Sequence, residues 1–442
     1  MNKNLAIIFL FFFVSQCSFG IGGGFWSSSN IKEEENKINK KELFATLKIS
    51  DFEINKDLEI NIESIEFFKN SFKNNLINNN GRLNYDGNLK KALKYKFSKI
   101  ENFEELEPEI IFEKKNIIFF ANKGSILKFD DQSKLIWEKN YYSKTEKKNK
   151  PTLQFSNNKD ILIIADSISK YYALNINSGE LLWSKNNSTA FNSEIKIFKD
   201  KIFVIDYDNI LRCFSIKNGK EIWKVKTENK TLKSQKKLSL VILKNKIIFN
   251  NSSGDITAVN SKTGKLLWVV PTVKTRDSTN AYFLKMSNII ANENSIFVSN
   301  NFNEFYSIDV NSGLINWTQN INSTLKATLL DKIIFSVTDE GYFVIINSSN
   351  GEIIRRTYLF DGIKKNLFDK IKKKKITIKP TGFIVGKNKI YISTNNGRIL
   401  VGDIKSGKVI SSIKIDNDLI SRPFVLNKNL FVIKANGIVK IN

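Results

Sequence analysis

KIFVIDYDNILRCFSIKNGKEIWKVK, residues Lys201–Lys226, holds three short runs of β-branched, aromatic and other apolar residues, separated by turn residues. The first turn is Asp-Tyr-Asp-Asn and the second is Lys-Asn-Gly-Lys, so the three runs read as antiparallel strands joined by tight turns. The third run carries Trp223, four residues after Gly219.

The same module recurs in both directions. Upstream it reads NIIFFANKGSILKFDDQSKLIWEKN from Asn116 and DILIIADSISKYYALNINSGELLWSKN from Asp160. Downstream it begins again at Lys246, Ser295, Lys332 and Lys389, and LFVIKANGIVKIN forms a partial eighth copy. A further apolar run precedes each module, for example Ser239-Leu240-Val241-Ile242, which makes four strands per copy. Gly179, Gly219, Gly264 and Gly313 each stand four residues before Trp183, Trp223, Trp268 and Trp317, and these tryptophans are spaced 40, 45 and 49 residues apart. That period predicts the blades of a β-propeller. A helical solenoid is excluded, because no long window has apolar residues at helical spacing.

The expected fold is therefore all-β, an eight-bladed propeller of four-stranded antiparallel blades over 92–442. The eighth copy contributes only three strands, at Arg422 to Val425, Leu430 to Ile433 and Ile438 to Ile441. Its missing fourth is expected from Ala92 to Phe97, an isolated strand-like run before the first module, and that pairing closes the ring and removes exposed edges.

The repeat tryptophans Trp137, Trp183, Trp223, Trp268 and Trp317 read as packing between blades, with each indole N–H finding a carbonyl, rather than as a cofactor stack. The glycines serve turns that need positive φ. Arg355 and Ser411 replace tryptophan in the sixth and seventh copies, and Ser133 replaces glycine in the first.

At the N-terminus, Lys3 precedes the ten-residue apolar run Leu5 to Val14, which is too short to span a bilayer and fits an export signal over 1–17. Val14-Ser15-Gln16-Cys17 resembles a bacterial lipobox, with Gln16 departing from its small-residue rule. Lipidation of Cys17 is expected, with cleavage nearby and soluble export as the alternative. Ser18 carries no aspartate-type retention signal, so the resemblance implies an outer-membrane lipoprotein facing the periplasm. Residues 18–91 read as a Gly/Ser-rich tether followed by a charged linker.

Composition restricts chemistry. The chain has no histidine and only two cysteines, so a Ser-His-Asp or Cys-His arrangement, histidine-bearing zinc sites and an intrachain disulfide in the lipidated protein are all ruled out. Cys213 reads as a small buried hydrophobe. The net charge of +25 is spread over nearly every inter-strand loop, and together with the export signal this argues against nucleic acid as a partner. A dense lysine cluster, including Lys372 to Lys375, lies in the insertion 363–379 between the sixth and seventh modules. It reads as a solvated loop, with contact to anionic lipid headgroups as the alternative.

The module resembles the repeat of the pyrroloquinoline-quinone-type propellers. With its export signal, cysteine and tether, the chain is similar to the BamB family of lipoprotein subunits of the outer-membrane β-barrel assembly machinery. The resemblance implies a non-catalytic scaffold without cofactor. Its partners would be a BamA-like outer-membrane barrel protein, through the barrel's periplasmic domains, and unfolded outer-membrane proteins, with a lipid anchor in the membrane. It places the docking loops after the third and fourth tryptophan strands, at Thr231 to Ser239 and Thr272 to Ser287, with Leu232, Lys233, Arg276 and Asp277 as partner-binding residues. The aspartates expected near the end of the second loop are replaced by Ser287 and Asn288. Quinoprotein dehydrogenases share the repeat but carry adjacent cysteines, which this chain lacks. A ligand- or peptidoglycan-binding exported propeller is the remaining alternative.

Overall fold

Each of the seven regular repeats folds as one antiparallel sheet whose strands pair in chain order, and the eighth sheet is completed from the N-terminal side. The computed structural model describes residues 65–67, 72–87, 89–229, 233–273, 282–361 and 377–442, all within the unit Asp51–Asn442. Blades 1 to 7 span 111–139, 153–186, 196–226, 240–271, 290–319, 328–358 and 380–414. Blade 8 consists of Phe424–Leu426, Asn429–Lys434 and Gly437–Ile441, with Lys91–Lys96 as its outer strand. Tyr95 lies opposite Ile438 in that pairing.

Burial follows position in the blade. In blade 3 the middle strands Lys201–Ile205 and Ile210–Ser215 are apolar almost throughout, and their central residues are buried. Both of their faces pack on neighbouring blades, so they lack the alternation of a half-solvated sheet. The outer strand Glu221–Lys226 is largely exposed. A β-bulge separates the third and outer strands in each of blades 1 to 7; in blade 3 the register passes from Cys213↔Trp223 to Phe214↔Glu221, leaving Ile222 out of the ladder. Such a bulge turns a strand and re-aims its side chains. Ile222 and its counterparts Ile136, Leu182 and Leu267 face solvent as a result.

The repeat tryptophans lie between blades. Trp183 donates to the Ile216 carbonyl at 3.0 Å, Trp223 to Lys262 at 2.9 Å, Trp268 to Val310 at 3.2 Å and Trp317 to Ser348 at 3.0 Å. Each acceptor belongs to the last turn of the following blade. The glycine of that turn lies on the indole: a Cβ on Gly219, where φ is +68°, would sit 2.6 Å from the Trp183 ring, and Gly179, Gly264 and Gly313 cover Trp137, Trp223 and Trp268 in the same way. Any larger residue therefore meets both backbone strain and a clash.

Three side chains other than tryptophan keep the same connection with other atoms. Among the described residues the Trp137 indole N–H has no acceptor, and the buried Lys128 ammonium takes the equivalent carbonyl, Ile176 O, at 3.0 Å. Arg355 reaches the Lys405 carbonyl in the turn of blade 7. Tyr95, on the closing strand, reaches Asp131 O in the turn of blade 1 at 3.4 Å.

The stretch expected to be linker is ordered in part. Residues Phe72–Ile77 form a short helix, and Leu83 N donates to Val385 O at 2.8 Å on the inner strand of blade 7. Tyr85 packs edge-on against Tyr391 with ring centroids 4.8 Å apart. From there the chain runs outward to its place in blade 8.

Stability should track burial of the indoles. Trp317→Ala is expected to cost about 3–5 kcal/mol and the more exposed Trp183→Ala about 2 kcal/mol. Gly219→Ala should cost about 1–3 kcal/mol through strain and overpacking. Urea unfolding followed by tryptophan fluorescence measures all three, and a neutral Gly219→Ala would contradict the close indole contact.

Candidate functional site in the central channel

The first strands of the blades face the ring axis, and among the described residues no further strand pairs with their inner edges. Such an edge presents unpaired N–H and C=O groups. Here an asparagine-rich segment supplies the partners, since an Asn side chain offers two donors and an acceptor. The Asn78 amide donates to Glu194 Oε1 at 2.6 Å, Ser239 Oγ at 3.1 Å, Leu240 O at 3.2 Å and Ile289 O at 3.0 Å, touching blades 3 and 4 and the approach to blade 5. Asn79 donates to Leu329 O at 2.9 Å and accepts from Leu329 N at 3.0 Å in blade 6. Arg82 continues the path, donating to Lys387 O at 3.0 Å and Asn388 Oδ1 at 3.2 Å beside blade 7. The segment thus crosses the inside of the ring and becomes one wall of a cavity of about 450 Å³.

Charged side chains gather around that cavity. Lys196 and Glu194, both nearly buried, form an ion pair at 2.9 Å, and the same ammonium donates to Asn75 O and Asn78 Oδ1. Arg422 pairs with Glu109 at 3.1 Å and its guanidinium lies 4.1 Å above the Phe424 ring. Burial opposes ionisation of Glu109, yet Arg422 and the channel lysines hold its carboxyl well below the usual range. Glu194 is shifted down for the same reasons, with Lys196 foremost among the cations after burial has acted against it. Lys326 moves the other way: burial, reinforced by Arg422, brings its ammonium down to about 7 despite the two carboxylates.

The expected partner-binding residues fall elsewhere. Cys17, Leu232, Arg276 and Asp277 lie outside the described residues, as do Lys372 to Lys375. Lys233 is described, and its ammonium is held by the Tyr207 carbonyl, by Asn229 Oδ1 at 3.0 Å and by Asp208 at 3.8 Å. The two expected docking loops meet where Ser234 Oγ donates to Leu284 O at 2.5 Å. Beside that junction Tyr282 and Phe283 are 49% and 63% exposed, with ring centroids 5.3 Å apart. Sequence reading passed over this pair, although two adjacent aromatics in a loop, outside any strand, were its visible signal. Cys213 is buried opposite Trp223, and burial pushes its thiol up to about 12. Among the described residues no group of three or more Cys, Asp or Glu is placed to hold a metal ion.

The fold and channel define an eight-bladed propeller of the pyrroloquinoline-quinone-repeat class, and comparison with known proteins narrows this. A profile described as outer membrane protein assembly factor BamB matches residues 112–357, and the chain belongs to that family. The outer membrane protein assembly factor BamB of Moranella endobia is 20% identical over 346 residues, covering 76% of this chain and 84% of its own. The crystal structure of BamB from Moraxella catarrhalis superposes with a TM-score of 0.63 at 15% identity, covering 80% of this chain and 99% of its own. The quinohemoprotein alcohol dehydrogenase of Comamonas testosteroni shares the fold at a TM-score of 0.61 and 9% identity, covering 81% of this chain and 78% of its own.

Removing the Asn78 side chain strips partners from Glu194, Lys196 and two inner-edge carbonyls together. Asn78→Ala should therefore destabilise the propeller by about 2–4 kcal/mol, whereas Asn80→Ala should shift it by less than about 1 kcal/mol. Comparing their urea midpoints checks this; equal midpoints would mean that the crossing segment does not anchor the ring.

Proposed function

We propose that the chain is a non-catalytic scaffold subunit of the outer-membrane β-barrel assembly machinery, held at the periplasmic face of the outer membrane by a lipid on Cys17. Its family membership supports the assembly role. The observation that carries the docking reading is the junction of the loops after blades 3 and 4, which brings Lys233 and the exposed Tyr282–Phe283 pair to one edge of a rigid ring. Loops on a fixed scaffold can converge on a partner without cost to the strands, and exposed aromatics are the usual anchors of such contacts. Leu232, Arg276 and Asp277 belong to the same two loops and complete the proposed surface. Its partner is a BamA-like outer-membrane barrel protein. Unfolded outer-membrane proteins would pair with exposed outer-strand edges by strand addition.

A quinoprotein-like dehydrogenase is the rival reading that the shared fold raises. The donor set argues against it: the chain has no neighbouring cysteines, and Cys213 is enclosed alone in blade 3.

The combined change Leu232→Ala, Tyr282→Ser and Phe283→Ser should weaken capture of the barrel partner from solubilised outer membranes by at least about tenfold, with an unchanged melting temperature. Charge reversal of Lys372 to Lys375 should leave capture intact. The opposite pattern would put the docking surface on the wrong blades. In cells given a labelled fatty acid, the label should mark the wild type and be absent from Cys17→Ser; an unlabelled wild type would refute the anchor.

A further inference from the structure

The channel holds more positive charge than its own carboxylates neutralise. Lys196, Lys237, Lys326 and Arg422 line the cavity against Glu109 and Glu194, and the exposed Lys159 adds a fifth cation. Lys196 and Arg422 are each committed to a carboxylate. Lys236, the neighbour of Lys237, is likewise paired with Glu107. Among the described residues Lys237 and Lys326 make no hydrogen bond or ion pair, although both lie within electrostatic reach of Glu109 and Glu194. Two ammonium groups thus face a cavity of about 450 Å³ without direct partners, in surroundings that already strain Lys326 toward its neutral form.

Buried or half-buried cations in this state are stabilised by a bound anion, which supplies the missing charge and accepts their N–H groups. The polar wall suits an anion that also accepts hydrogen bonds, since Asn75, Asn78 and Asn80 line the same space. Volume limits the guest to a small molecule. The cavity is partly open rather than fully enclosed.

We propose that the central channel binds a small phosphate-class oxyanion between Lys237 and Lys326. Lys196 and Arg422 set the surrounding positive field, and Glu109 and Glu194 hold those two cations in place. The site is separate from the docking loops and does not depend on the scaffold reading.

Calorimetric titration of the full-length protein with inorganic pyrophosphate tests this. One saturable site is expected. Lys237→Gln, changing a partly exposed side chain, should stay folded and weaken binding several-fold, and Lys237→Gln with Lys326→Gln should weaken it by at least about tenfold. Lys144→Gln with Lys148→Gln, on the exposed helix Lys144–Lys148, should have no effect. An anion favours the charged form of Lys326, so proton uptake on binding near pH 7 should be larger for the wild type than for Lys326→Gln, a comparison in which the ionisation of pyrophosphate itself cancels. The other charged groups that face Lys326 across the channel are Glu109, Glu194, Lys196 and Arg422. Absence of saturable heat, or unchanged affinity in the folded Lys237→Gln protein, would overturn the site. So would binding to phosphatidylglycerol vesicles through these lysines without binding of free pyrophosphate, because the ligand would then be a lipid surface.

Discussion

The ring depends on one contact made repeatedly, an indole in the outer strand of one blade seated beneath the last turn of the next. It joins blades that share no ladder of hydrogen bonds, and it repeats regularly among scattered polar contacts such as Tyr171 Oη to Gly219 O at 2.9 Å and Leu238 N to Asn192 O at 2.7 Å. A hydrophobic face permits sliding, whereas an N–H aimed at one carbonyl fixes the angle at which blades meet. The bulge before each tryptophan orients the ring toward the turn, and the glycine gives it room. Lys128, Arg355 and Tyr95 then show what is essential, since the donor changes while the turn carbonyl remains its target.

Most of this was legible in the sequence, because a repeat multiplies every signal. Strand runs, turn residues and the Gly-to-Trp spacing agree from copy to copy, and the incomplete eighth copy points to the closing strand. The substitutions were harder to read. Arg355 resembles decay of the motif until its guanidinium is seen on the turn of the next blade, and nothing local to Lys128 announces that it displaces the hydrogen bond of an indole nine residues away. The turn of blade 1 faces Tyr95 rather than an indole, and there Ser133 holds φ at +67° without glycine.

The interior was nearly illegible for a different reason. Asn78 and Asn79 stand in an Asn- and Lys-rich stretch whose composition reads as linker, and their partners are 116 to 250 positions away along the chain. Neither period nor propensity encodes such pairs; only the unpaired inner edges of the blades create the need for them. The same holds for the channel charges. A net charge of +25 looked evenly scattered in sequence, yet the topology brings Glu109, Lys237, Lys326 and Arg422, from the segments that lead into four different blades, to one cavity. The charge pattern that matters belongs to the ring rather than to the chain.

Closure of the ring also orders events in time. Lys91 pairs with Ile441, so the outer strand of blade 8 is made before every other described strand of the propeller and finds its partner only after all of them. Seven blades can form as local hairpins while the chain emerges, each joined to the one before it, but an open arc still displays two unsatisfied faces. Contacts this distant are slow to form, and the species awaiting them are prone to aggregate. In the finished ring Asn78 and Asn79 hold the chain that leads into this strand against the inner edges of blades that lie far from blade 8 in sequence order.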